Sequence, residues 1–354
     1  MVTQNLSFIF FFISTILLII DTEVVHSSPH GHNRVHKAKK LFVFGDSYAD
    51  TGNSRKSDSR SWNEPYGITF PGKPSGRYSD GRVFTDFLAR TLGVKTPIAY
   101  KWRKYKQGQI QNGMNFAYGG TGVFDTMAPY PNMTTQIDIF EQLVNQSVFT
   151  YSELRNSVAH VSLAGNDYSN FLATRGSLQE ITKFIPQVVK QLEINLVRIY
   201  KLGVKKITVT SLQPLGCLPQ ATFETSFQKC NSTANSAVKL HNLLLQVIVT
   251  KLNVHFHYNN PFVIIDFYNK FSIIIGDKGV RQGNCSFENP LKPCCMGING
   301  TLNECGNVDA QGNKLYTICQ NPTSYFFWDH VHLTQAGWHA IALSLQSTLQ
   351  QLAN

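Results

Sequence analysis

Four short runs limit what this chain can fold into: "LFVF" (41–44), "VAHVSLA" (158–164), "KKITVTSL" (205–212) and "FVIIDFY" (262–268). Each is β-branched or aromatic and bounded by Gly, Pro or Asn, which is the pattern of a buried strand. Between them lie amphipathic stretches at helical spacing, 86–93, 135–146, 177–203 and 233–256. Pro186 either kinks the third of these or sits in its first turn. Strands that alternate with helices run parallel, and the crossover helices cover both faces of the sheet. The order predicts an α/β fold, a three-layer α/β/α sandwich around a central, mostly parallel sheet.

The first residues form a unit of their own. Leu6 to Ile20 is continuously apolar and is followed by "VVHSS". A run of that length is short for a membrane span and reads as a signal peptide over 1–27, although no Lys or Arg precedes it. A basic linker follows over 28–39, then a single domain over 40–354. Asn-x-Ser/Thr acceptors begin at Asn132, Asn145, Asn231, Asn284 and Asn299, and all seven cysteines lie at or after Cys217. No C-x-x-C pair occurs, which removes the usual zinc-knuckle and thioredoxin readings. These features together predict a secreted, extracellular, disulfide-bonded glycoprotein. Cys217 and Cys230 are expected to pair. Cys285, Cys294, Cys295, Cys305 and Cys319 can form at most two bridges, with adjacent Cys294 and Cys295 joined to different partners. The aperiodic segment from about 276 to 325 reads as a stapled insertion beside the functional cleft.

The formal net charge is +10, concentrated in "HGHNRVHKAKK" (30–40) and "KWRKYK" (101–106). Solvated surface is the plain reading, contact with acidic polysaccharide the sharper one, and nucleic acid fits poorly with an export signal. His26, His30, His32 and His36 straddle the cleavage region without a fixed ligand set, so no metal is expected.

The first strand ends in Gly45-Asp46-Ser47. These are ordinary turn formers, but ligands of open α/β sheets bind beyond the carboxyl ends of strands, where this serine lies. A serine nucleophile needs a base, an orienting carboxylate and oxyanion donors. Asp329-His330-Val331-His332 supplies the first two, ahead of Thr334 as the N-cap of a terminal helix. His332 has the spacing from Asp329 that a folded-back loop uses; His330 reads as a structural or rim residue. The glycines of "NFAYGGTG" (115–122) and Asn166 in "LAGNDY" (163–168) can supply donors.

The order GDS, GG, GND and D-x-x-H resembles the SGNH or GDSL hydrolases, most specifically the plant GDSL esterase/lipase group. The resemblance spans nearly the whole mature chain, including "PSGRYSDGRVFTDFLA" (74–89), "QPLGCLP" (213–219) and "FFWDHVHLTQAGW" (326–338). It implies Ser47 as nucleophile at the mouth of a helix and Asp329 with His332 completing the triad. It also implies an oxyanion hole of the Ser47 amide, Gly119 and Asn166. Asp46 and Asp167 read as turn residues. Tyr48 departs from the family pattern, which has leucine there. No G-x-S-x-G occurs, so the nucleophile elbow of ordinary α/β-hydrolases is absent. The expected activity is hydrolysis of small-molecule or lipid acyl esters through an acyl-enzyme, without cofactor or metal. The rivals are acyl transfer to an alcohol and an inert secreted glycoprotein that binds carbohydrate or a partner.

Overall fold

Strand β1 (Leu41–Gly45) is buried along its whole length, and its side chains divide between two cores. Phe42 and Phe44 point into one, where Phe42 packs on Phe140 with ring centroids 4.9 Å apart. Leu41 and Val43 point into the other. A strand with apolar residues on both faces belongs in the middle of a covered parallel sheet. The computed structural model describes residues 40–163, 165–174, 176–257, 260–276, 287–298, 300–302 and 304–353. The leader, the linker, Asn284, Asn299 and Cys285 lie outside the described residues.

The other strands are β2 (Ile98–Ala99), β3 (Gly113–Asn115), β4 (Val158–Ser162), β5 (Lys206–Thr210) and β6 (Phe262–Ile265). They lie in the order β2-β3-β1-β4-β5-β6, every pairing parallel. Helices Met133–Asn145, Leu178–Lys201 and Ser232–Phe256 cover the first core. Phe84–Thr91, Phe267–Gly276, Gln335–Ser344 and Gln346–Ala353 cover the second. The result is the expected three-layer α/β/α sandwich. Pro186 lies inside the helix Leu178–Lys201, well past its first turn. The last expected strand stops at Ile265, because Asp266 accepts the Asn269 amide (3.1 Å) and starts a helix in its place.

The chain leaves β1 for β2 and β3 on one side and returns to β4 on the other, so β1 is the topological switch point of the sheet. Loops after β1, β3 and β4 therefore converge on one crevice. Among the described residues the insertion contains a small antiparallel pair, β7 (Cys295–Gly297) with β8 (Tyr316–Ile318). Disulfides join Cys217 to Cys230, as expected, and Cys294 to Cys319 and Cys295 to Cys305, so the adjacent cysteines have different partners. The staple reaches the loop that carries Asp329 and His332 directly: Cys294 and Cys295 amides donate to the carbonyls of Phe327 (3.0 Å) and Trp328 (2.7 Å).

Candidate active site

At the end of β1, Gly45 takes φ +146°, and a Cβ there would lie 1.9 Å from the Ser162 carbonyl oxygen of β4. Only glycine lets the two central strands approach so closely at this turn. The Asp46 amide donates to that carbonyl (3.2 Å), and Asp46 Oδ1 accepts the Tyr48 amide (3.0 Å), which fixes the backbone on both sides of Ser47. The helix expected after Ser47 is a single turn closed by the Asp50 amide on the Asp46 carbonyl (2.8 Å). It goes no further because the Asp50 carboxylate gathers the amides of Gly52, Asn53 and Ser54 at 2.7, 2.7 and 3.2 Å, with Gly52 at φ +130°. Ser47 is 7% exposed and its amide has no hydrogen-bond partner among the described residues.

Ser47, Gly119, Gly120, Asn166, His330 and His332 line one cavity of about 400 Å³. Asp329 lies behind His332, fully buried, at the tip of a hairpin in which the Trp328 amide donates to the His332 carbonyl (2.7 Å). Its oxygens lie 2.9 and 2.8 Å from His332 Nδ1 and accept the Val331 and His332 amides at 2.9 and 2.8 Å. Burial alone would raise the Asp329 pKa, but His332, His330 and Tyr66 outweigh it and hold the carboxyl well below its ordinary value. His332 Nε2 is buried without a hydrogen-bond partner. Thr334 caps the following helix by accepting the Gly337 amide (2.9 Å), as predicted. His330 Nδ1 stands 3.9 Å from Asp329, and burial lowers the pKa of its ring. Both histidines face the cavity, but only His332 is hydrogen-bonded to the carboxylate.

Gly119, one of the expected donors, has its amide already occupied. The Gly119 amide is engaged by Asp50 Oδ2 (3.2 Å) and Ser54 Oγ (3.0 Å). The next amide, Gly120, has no partner among the described residues and lines the same cavity. Asn166 Nδ2 donates to Asp46 Oδ2 (3.1 Å) and the Thr121 carbonyl (3.0 Å). Asp46 is thus a brace between the serine turn and Asn166 as well as a turn residue. Asp167 also does more than close a turn. Its carboxylate accepts the Val123 and Phe124 amides, each at 2.9 Å, and so fixes the Gly-rich loop to the helix Asn166–Thr174.

Three tyrosines complete the surroundings. Tyr48 donates to the Val331 carbonyl (2.7 Å) and packs edge-on against Trp338, tying the serine turn to the histidine loop. A leucine there could pack but could not make that bond. Tyr78 stacks on the His332 ring, centroids 4.9 Å apart, and lies where a Gly119 Cβ would fall, 2.0 Å from its hydroxyl. Tyr66 donates to Asp329 Oδ2 (2.6 Å), and burial followed by the Asp329 charge raises its own pKa well above the ordinary value, so it remains a donor. Tyr78 sat in a quoted motif, whereas nothing in the sequence linked Tyr66 to a residue 263 positions away.

Tyr66→Phe removes one donor from a buried carboxylate. A hydrogen bond to a charged group is worth about 1.5–3 kcal/mol, so kcat is expected to fall roughly tenfold. An unchanged kcat in folded protein would reduce Tyr66 to packing.

A family described as "GDSL-like Lipase/Acylhydrolase" matches residues 41–345. The chain is 54% identical over 344 residues to GDSL esterase/lipase At5g03610 of Arabidopsis thaliana, covering 96% of this chain and 95% of that one. It is 51% identical to GDSL esterase/lipase At3g09930 of the same plant, covering 91% and 92%. It is 29% identical to acetylajmalan esterase 2 of Rauvolfia serpentina, covering 88% and 91%.

Proposed function

The chain belongs to the plant GDSL esterase/lipase family and is a carboxylic ester hydrolase, and from that premise we propose that it is secreted and works by a Ser47-His332-Asp329 acyl-enzyme mechanism. The observation that carries this reading is the Asp329–His332 pair, whose unpartnered Nε2 borders the cavity that Ser47 lines. Asp329 fixes the tautomer with Nδ1–H toward itself, leaving Nε2 to take the Ser47 proton as Oγ attacks the ester carbonyl. The developing oxyanion is held by the Ser47 and Gly120 amides, with Asn166 sharing a hydrogen it otherwise gives to Thr121. Gly120 takes the role the sequence assigned to Gly119. His332 then protonates the departing alkoxide, and water activated by the same ring hydrolyses the acyl-enzyme.

Asn166→Ala is expected to lower kcat by roughly 10²- to 10³-fold with a smaller change in KM, because the bond matters most once charge sits on the oxygen. A pure KM defect would assign Asn166 to substrate positioning alone.

A cavity of about 400 Å³ suits short or medium acyl chains. A series of p-nitrophenyl esters from acetate to palmitate tests this, with kcat/KM expected to peak at short or medium length. A maximum at palmitate would point to bulk lipid, and transfer to an added alcohol in preference to water would make the protein an acyltransferase. Export and glycosylation at one or more of Asn132, Asn145, Asn231, Asn284 and Asn299 are part of the same reading, which rests on the apolar leader and the acceptor motifs. Intact-mass comparison before and after glycosidase treatment checks them.

A further inference from the structure

Arg77 and Tyr78 are consecutive and serve different cavities. Tyr78 lines the one at Ser47; Arg77 lines a second, of about 390 Å³, whose walls include Trp62, Trp102, Lys73 and Lys106. The indole rings meet at 71°, with centroids 6.4 Å apart. Trp62 is held in place by its Nε1–H on the Ser54 carbonyl (2.8 Å). Lys101 Nζ lies 5.7 and 5.4 Å from the two ring centroids, and Lys56 Nζ lies 5.0 Å from that of Trp62.

Arg77 is committed to Asp86, at 2.8 and 2.9 Å. None of Lys56, Lys73, Lys101 and Lys106 has a carboxylate partner within ion-pair distance among the described residues. Asp58 nearby is hydrogen-bonded to the Tyr130 hydroxyl, and Asp50 is buried. The basic run "KWRKYK" thus contributes one wall of a cleft that is both aromatic and electropositive.

Neither the catalytic chemistry nor the core uses this cleft. Indole faces offer flat apolar area to the C–H face of a pyranose ring, and ammonium groups without a carboxylate partner concentrate an anionic ligand at a concave surface, although Lys101 Nζ also donates to the Ser54 carbonyl (3.2 Å). The rings are half-buried in a recess and do not project, which suits a narrow chain better than a flat lipid surface. We propose that this cleft binds a linear, carboxylate-bearing glycan, a chain of uronic acid residues, one wall away from the active site. The assignment is independent of the esterase mechanism, because the ligand needs no ester.

Isothermal titration of the full-length secreted protein with an unesterified oligogalacturonate tests it, with a neutral cello-oligosaccharide and phosphatidylserine-containing vesicles as comparisons. The oligogalacturonate is expected to bind, and raising salt from about 0.05 M to about 0.5 M should weaken it severalfold. Trp102→Ala and the double change Lys101→Gln with Lys106→Gln should each lower affinity about tenfold. Hydrolysis of p-nitrophenyl butyrate should be unchanged in the lysine variant, which also shows that it is folded. Absence of binding, equal binding of the neutral oligosaccharide, preference for vesicles, or affinity that survives both variants would each overturn the proposal.

Discussion

Ser47→Ala is expected to abolish ester hydrolysis, a loss of roughly 10⁶-fold in kcat on the scale of removing a triad nucleophile, while the folded protein persists. The asymmetry follows from the surroundings. Ser47 sits where β1 ends, but its hydroxyl makes no hydrogen bond among the described residues, so removing it leaves no partner unsatisfied. The turn is held by its neighbours: the Asp46 amide on Ser162, the Tyr48 amide on Asp46, and the Tyr48 hydroxyl on Val331. Melting temperature should therefore stay within a few degrees of the parent, as for a substitution worth less than about 1 kcal/mol. Covalent labelling by a fluorophosphonate should vanish in parallel. Turnover near the parental level in a correctly folded variant would remove Ser47 from the mechanism and the proposed triad with it.

The sandwich was legible because its long elements carry strong patterns. β1, β4 and β5 are buried runs of β-branched and aromatic residues, and the helices Leu178–Lys201 and Ser232–Phe256 are long enough for their periodicity to be unmistakable. β2 and β3 were not legible, since two or three residues cannot show an alternation and Gly113, at φ +100°, interrupts the run. The candidate site divides in the same way. Ser47, Asp329, His332 and Asn166 carry reactive or donor side chains in local motifs. The choice between Gly119 and Gly120 depends on which backbone amide is free, and that is decided by Asp50 and Ser54 from another loop. Tyr66 is invisible for a related reason: its role is a single contact made across the fold.

His332→Ala and His330→Ala should separate by orders of magnitude, although both rings border the same cavity. His332 is hydrogen-bonded to Asp329 through Nδ1 and presents an unpartnered Nε2, the two properties a general base requires. Its loss is expected to cost roughly 10⁴- to 10⁶-fold in kcat. His330 makes no ring hydrogen bond to Asp329, at 3.9 Å, and burial lowers its pKa. Its carbonyl accepts the Gln220 amide (3.0 Å), a bond that alanine keeps, so a loss below about tenfold is expected. Removing the imidazole of His332 strips one partner from a buried carboxylate, and instability could then imitate a catalytic defect. His332→Gln separates the two causes, because its side-chain amide can still donate to Asp329 but cannot accept the serine proton. The glutamine variant should melt near the parent and remain inactive, and added imidazole should restore part of the activity of the alanine variant. If His330→Ala proved the more damaging change in folded protein, the base would have to be reassigned to His330.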